Sequence, residues 1–325
     1  MSVRHSTNWV RATLIACLVL VVGVAAFATS CSQSRNTPGT ATPTELFVVN
    51  TSPEQQRIRA EVVRAIADRV PDDMRKAGTL TVATTGNVPP LSFRADDAMT
   101  MIGVEPDLAQ LIADVLDLNL ELVTTGWHDL FEGVEEGRFD VGFGNIVATA
   151  NRMQRFDMVT YQEENQAFAV LANSSINSIT RPRDISGLKI GVGAGTRSEE
   201  ILQTWNSELE KEGLVTAELL NFVDGWEYYS AMERGEIDAS FGPMSILNFE
   251  SVTKGLTKVA GQVPGDGDRP ALVSAITSKG SDVSRLVFDA INTVIMTGKY
   301  QAVFERWALE HATLTRARLN PALGD

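Results

Sequence analysis

Arg152 is the residue whose type and setting ask for chemistry. It lies in FGNIVATANRMQRFDM (143–158), three residues after Thr149 and five before Asp157. A guanidinium presents planar N–H donors that match two carboxylate oxygens. Just past a strand end and at a candidate helix start, it is either a carboxylate clamp or a surface charge paired with Asp157. A second candidate is GAGTRSEE (193–200), which follows a strand and opens a helix. The free amides and dipole of a helix start favour a negative group. Gly191, Gly193 and Gly195 are spaced G-x-G-x-G, which is not the dinucleotide fingerprint. The three histidines, His5, His128 and His311, are scattered, so no metal site and no cofactor is expected.

These residues need elements to position them. From Gly78, short β-rich runs alternate with amphipathic helical runs. TLTVATT reads as a strand and PDLAQLIADVL as a helix, with Asp107 as its cap and Leu108, Leu111, Ile112 and Val115 on one face. LNLELVTT is a strand, WHDLFEGVEEG a helix and FDVGFGNI a strand. The alternation argues for an α/β fold. The chain then echoes itself. GTLTVATTG from Gly78 is answered by GLKIGVGAG from Gly187, and EEGRFDVGFGN by ERGEIDASFGP. In the second pair Gly137 and Gly235 end helices, Asp140 and Asp238 enter strands, and Gly144 and Gly242 end them. Two similar α/β lobes are expected, with a cleft lined by the carboxyl ends of their strands.

The termini and composition bound the rest. A chain of 325 residues suggests about two domains. The net charge of −13 argues against nucleic acid as a partner. Residues 1–30 carry Arg4 and Arg11, no acid and a long apolar run, which reads as a signal peptide; without it, −13 becomes −15. An uncleaved membrane anchor is the alternative. Ala28-Thr29-Ser30-Cys31 resembles a lipobox, which would make Cys31 a lipidated membrane anchor. Cys31 is then the one cysteine left, and no intrachain disulfide is expected. Residues 31–52 contain the Ser/Thr/Pro-rich SQSRNTPGTATPTE and read as a flexible tether. Residues 53–77, opening on Ser52-Pro53-Glu54-Gln55, predict a helix with Ile58, Val62, Ala65 and Ile66 on one face.

The stretches GTLTVATTGNVPPLSF, GVEPDLAQLIADVL, WHDLFEGVEEGRFDVGFGNIVATANRMQRFD, LKIGVGAGTRSEEIL, MERGEIDASFG and TGKYQAVFERWAL resemble the bacterial extracellular solute-binding proteins of family 3. The resemblance spans roughly Gly78 to Leu309. It implies an α/β, two-lobed periplasmic-binding-protein-like fold of type II, with two crossings and the ligand between the lobes. Lobe 1 would be 75–167 plus 272–315, and lobe 2 would be 168–271, with crossings near AFAVLA and PALVSAI. The family's arginine at the Arg152 position forks onto the ligand's carboxylate, and the Gly144–Asn145 turn offers backbone donors nearby. Thr196 and Arg197 are expected to reach the ligand from lobe 2, and Trp127 to stack on it unless it is core.

The departures from the family bear on the ligand. Thr85 and Pro243 stand where carboxylates usually hold an α-ammonium. Val88 replaces a covering aromatic, and Val147 a hydroxyl residue. The resemblance implies a monomeric, lipid-anchored receptor that delivers a small carboxylate-bearing solute to an ABC transporter permease, and no enzyme. The missing ammonium partners point to an organic acid or an amino-acid derivative. The alternative is a cyclohexadienyl dehydratase on the same fold, suggested by VATTGN. That chemistry needs a general acid, and GPMSILN offers none before Glu250.

Overall fold

The computed structural model describes residues 45–222 and 227–323. The apolar leader, most of the tether and Cys31 lie outside them. Along the chain come α1 (Arg64–Ala67), α2 (Asp72–Ala77), β1 (Thr79–Thr84), β2 (Phe93–Arg94), β3 (Met101–Ile102), α3 (Val104–Leu116), β4 (Asn119–Thr124), α4 (Trp127–Glu135), β5 (Val141–Gly142), α5 (Ala150–Arg155) and β6 (Phe156–Leu171). Then follow β7 (Lys189–Gly193), α6 (Arg197–Lys211), β8 (Glu218–Phe222), α7 (Glu227–Glu233), β9 (Ala239–Pro243), α8 (Met244–Lys254), β10 (Thr257–Pro264), β11 (Ala271–Ser278), α9 (Asp282–Met296) and α10 (Lys299–Arg306).

One strand runs through both halves of the molecule. The 16-residue β6 pairs with β11 over Phe156–Glu164 and with β10 over Asn165–Leu171, both antiparallel. On the first side the order β4-β1-β5-β11-β6 forms lobe 1, with β4, β1 and β5 parallel. On the second, β6-β9-β7-β8 forms lobe 2, with β9, β7 and β8 parallel. The partner of β6 thus changes between Glu164 and Asn165, ahead of AFAVLA. Those later residues are lobe 2 core: Phe168 and Val170 are buried with Val192, Leu202 and Phe241. Lobe 1 is built round α3, whose Leu108, Leu111, Ile112 and Val115 pack with Val287 and Ile291 of α9 and with Phe304 and Trp307.

The repeated motif does the same work in both lobes. Asp140 accepts the N–H of Thr81 at 2.8 Å and returns its own N–H to the Thr81 carbonyl at 2.9 Å. Asp238 accepts from the N–H of Lys189 at 2.8 Å and returns its N–H at 2.7 Å. Each aspartate ties a parallel strand to its neighbour at the point of entry. Gly137 and Gly235 take φ values of 75° and 69°, the left-handed conformation that glycine adopts most cheaply after a helix.

Two local expectations are corrected. Residues 53–63 are not helical; only α1 and α2 form in the segment expected to be one helix. Its arginines are spent on tertiary partners instead. Arg57 donates to Asp107 at 2.9 Å, Arg59 grips Asp114 with two donors at 2.6 and 2.7 Å, and Arg64 pairs with Asp117 at 2.8 Å. The N–H of Val63 also donates to the Val115 carbonyl at 3.1 Å. An extended strap laid along α3 satisfies all of these, which outweighs a helical period in a short polar segment. Asp107, read as a helix cap, lies inside α3, whose N-cap is Gly103. It is buried and accepts from Arg57 and, at 2.9 Å, from the indole N–H of Trp307, with Arg306 at 3.6 Å.

Asp107→Ala removes the acid that Arg57 and Arg306 share and leaves the buried Trp307 indole N–H without its acceptor. The expected loss is about 3–5 kcal/mol of unfolding free energy. It is read as a lower urea midpoint with an unchanged slope; an unchanged midpoint would place the strap outside the cooperative unit.

Candidate functional site

The lobe 1 side of the cleft is built at the carboxyl ends of β1 and β5. Thr149 caps α5: its hydroxyl accepts the N–H of Arg152 at 3.2 Å. That accounts for the three-residue spacing and puts Arg152 in the first turn. Among the described residues its guanidinium donates once, from Nη1 to the Val147 carbonyl at 2.7 Å. It lies 5.6 Å from the ring centroids of both Trp127 and Phe131. Burial lowers its pKa from the ordinary arginine value, yet arginine stays charged. Among the described residues no carboxylate pairs with it. Asp157, the alternative partner, is bound to Lys279 at 3.0 Å, Asn320 at 2.9 Å and the N–H of Gly280 at 2.8 Å.

Around this cation stand groups with spare capacity. Trp127 is 46% exposed, so it is not core. Gly144 is bare enough that the nearest atoms to an added Cβ would belong to Trp127 at 3.5 Å, Thr85 at 3.6 Å and Leu130 at 3.7 Å. The hydroxyl of Thr85 and the side-chain oxygen of Asn145 are buried without a hydrogen-bond partner. Trp127, Phe131, Asn151, Arg152 and Arg155 line a pocket of about 250 Å³ between α4 and α5. Val88 and Val147 are half-buried and pack against the lobe 1 core, and Val147 bridges to Val273.

The Asn145 backbone departs from expectation. Its N–H, read as a ligand donor, goes to Glu105 at 2.8 Å. Glu105 also accepts from the Tyr161 hydroxyl at 2.6 Å. This fixes Asn145 at φ 52° and holds the turn from below. Burial pushes the Glu105 carboxyl up and the Tyr161 phenol well up; the hydrogen bonds to Glu105 hold its carboxyl down in part.

Lobe 2 also differs. Thr196 caps α6, accepting from the N–H of Glu199 at 3.3 Å and donating to the Gly193 carbonyl at 2.7 Å. Glu199 reaches back to the N–H of Gly195 at 2.7 Å. The helix start read as an anion site therefore holds the chain's own carboxylate, an arrangement close to a capping box. Arg197 pairs with Glu200 at 2.9 Å and lines a groove with Thr180, Trp205 and Pro264. No contact brings it to Arg152. Pro243 ends β9 opposite Gln166 and opens α8.

The sequence model of the bacterial extracellular solute-binding proteins, family 3, matches residues 80–310. The chain belongs to this family. The L-cystine-binding protein TcyJ of Escherichia coli (strain K12) is 26% identical over 247 residues, 75% of this chain and 88% of that protein. The arginine-binding protein ArgT of Corynebacterium glutamicum is 24% identical over 268 residues, 82% and 86% of the two chains. A solved ancestral cationic amino acid solute-binding protein superposes with a TM-score of 0.60 at 23% identity, over 73% of this chain and 98% of that one. The family's two-lobed fold, with the ligand cleft between lobes joined by two crossings, is the architecture described above.

Several residues of this family member escaped the sequence reading. Phe131 is one; its spacing of four from Trp127 was the available signal. The polar run QEENQ inside an otherwise apolar strand was another. Glu164 sits where β6 changes partner. It is buried and accepts from the Ser245 N–H at 3.1 Å, from the Ser245 hydroxyl and from Gln162 at 3.2 Å. Gln166, two residues on, accepts from Ser198 of α6 at 2.5 Å. The crossing is therefore tied by side chains to the first turns of two lobe 2 helices.

Burial pushes the Glu164 carboxyl up to about 7, against the pull of its donors. The folded protein then holds a proton that the unfolded chain releases near the ordinary glutamate value. Stability from this group is complete below about pH 4.5 and declines as pH rises through about 7. Glu164→Gln is expected to flatten that decline between pH 5 and 8, measured by urea unfolding at each pH. An equal decline in the variant would assign it to other groups.

Proposed function

We propose that this protein is an extracytoplasmic receptor that captures a small carboxylate-bearing solute for an ABC importer. It acts as a monomer held to the membrane by lipid on Cys31. The observation that carries the reading is Arg152: a half-buried guanidinium that has no acid partner among the described residues, in the same lobe as the orphaned oxygens of Thr85 and Asn145. A desolvated cation of this kind is stabilised by an anionic ligand. The relatives support the class, being named for binding cystine and arginine.

The ligand's second group is read as uncharged. Thr85 and Pro243 carry no charge, and Glu105 is spent under Asn145. An ammonium closed into such a site lacks the carboxylate that offsets its desolvation. Thr85 and Asn145 instead suit an amide N–H or a hydroxyl. Organic acids and N-acylated amino acids are the favoured ligands.

A second reading, a dehydratase, draws support from the cyclohexadienyl dehydratase of Pseudomonas aeruginosa. It is 32% identical over 84 residues, 26% of this chain and 31% of that one. Burial pushes the Glu164 carboxyl up to about 7, as suits a general acid, and the carboxyl accepts from Ser245 in GPMSILN, which has no acid of its own. Its oxygens are buried and taken by Ser245 and Gln162, so the binding reading is preferred. Turnover of prephenate would reverse that order.

Calorimetry with α-amino acids and their N-acetyl and deaminated counterparts tests the reading. Arg152→Ala is expected to weaken the tightest of them about 100-fold or more, from ~3–5 kcal/mol for breaking a buried pair. Arg152→Lys should also bind poorly, because a point charge does not reproduce the fork. Micromolar binding of a free amino acid, lost on acetylation, would overturn the uncharged second group. Anchoring is tested separately. Cys31→Ala should leave the protein unprocessed or release it from membranes, and a processed variant that stays bound would exclude lipid at Cys31.

A further inference from the structure

Arg152 sits in the corner of two rings. Trp127 and Phe131 meet edge to face, centroids 4.9 Å apart and planes at 77°, and the guanidinium carbon is 5.6 Å from each. Phe131 is fixed from behind by Phe156, with centroids 5.5 Å apart, and Phe156 is 1% exposed. The corner is therefore anchored in the lobe 1 core. A ring face attracts a cation through its quadrupole and takes none of its N–H donors. An acid in the same place would orient the group but also neutralise it. One donor goes to the Val147 carbonyl. Among the described residues the other four N–H groups have no acceptor.

We propose that Phe131, together with Trp127, is a positioning residue for the carboxylate fork: the aromatic corner aims and retains the Arg152 guanidinium while leaving its charge and donors to the ligand. The proposal rests on Arg152 being the carboxylate donor. It assigns Trp127 to the arginine rather than to stacking on the ligand. It also gives Phe131 a role in specificity without ligand contact. The aromatic corner favours an anion over its neutral isostere, because only the anion uses the charge that the rings preserve.

Acetate and acetamide are the probes, titrated into the full-length protein with the Arg152 Nε–Hε resonance as the readout. In the wild type, acetate should shift the resonance saturably and acetamide should not. Phe131→Leu keeps apolar bulk and removes the ring. It should raise the half-saturating acetate concentration about tenfold, the size of one desolvated cation–π contact. Phe131→Tyr, which keeps a ring, should stay within about twofold of the wild type, since the ring supplies the contact. An urea midpoint equal to wild type in Phe131→Leu would show that the lobe is intact. If Phe131→Leu binds acetate as the wild type does, the positioning role is wrong and the carboxylate reading stands. If its lobe is destabilised and Phe131→Tyr is as weak as Phe131→Leu, the ring is structural and the role is likewise wrong. No acetate response at Arg152 in the wild type would overturn both.

Discussion

The first turn and a half of α3 sets the constraint that the rest of lobe 1 obeys. Glu105 and Asp107 are buried there, 1% and 0% exposed, and a buried carboxyl without donors is costly. Their donors come from distant parts of the chain. Glu105 takes the Asn145 N–H and the Tyr161 hydroxyl, which fixes the turn after β5 to the strand that crosses between the lobes. Asp107 takes Arg57 and Trp307, which fixes the N-terminal strap and the end of α10. The ligand side of the cleft thus rests on a polar scaffold embedded in an apolar core. Tyr161 reaches Glu105 at a register shift, where Val273 and Ser274 of β11 face Gln162 and Thr160. A bulge of this kind re-aims a side chain.

The two lobes share a plan but divide the electrostatics unequally. Lobe 1 presents a cation whose charge no described acid offsets. Lobe 2 presents a helix start already neutralised by Glu199 and an arginine already paired with Glu200. Among the described residues of the cleft, the cation left without an acid partner is therefore in lobe 1. Closure of lobe 2 onto an anionic ligand would add exclusion of water more than charge, and in a drier cleft each remaining polar contact is stronger.

Local regularities were legible in the sequence and long-range partners were not. The echoed Glu-x-Gly-x-x-Asp motif predicted paired lobes because its aspartates and glycines act on neighbouring strands and turns. Thr149 and Arg152 were legible because a cap acts over three residues. The strap at 53–63 was misread because Ile58 and Val62 fit a helical period. What decides its shape is Asp107, Asp114 and Asp117, which lie some fifty residues away. Asp107 looked like a cap for the same reason: its type favours helix starts, and only the fold brings Trp307 to it. The start of GAGTRSEE was read as open to an anion, although the Glu199 side chain reaches back to the Gly195 N–H there.

The crossing shows why polarity belongs at the lobe border. Gln162, Glu164 and Gln166 interrupt a strand that is otherwise apolar, in a place where β6 exchanges β11 for β10. Apolar residues there would join the two cores into one and lose the separation on which a cleft depends. Hydrogen-bonded side chains instead bind the crossing to Ser245 and Ser198, at the first turns of α8 and α6. Directional bonds of this kind hold one geometry and lose strength steeply when bent. They let the two cores remain distinct while one continuous strand joins the lobes.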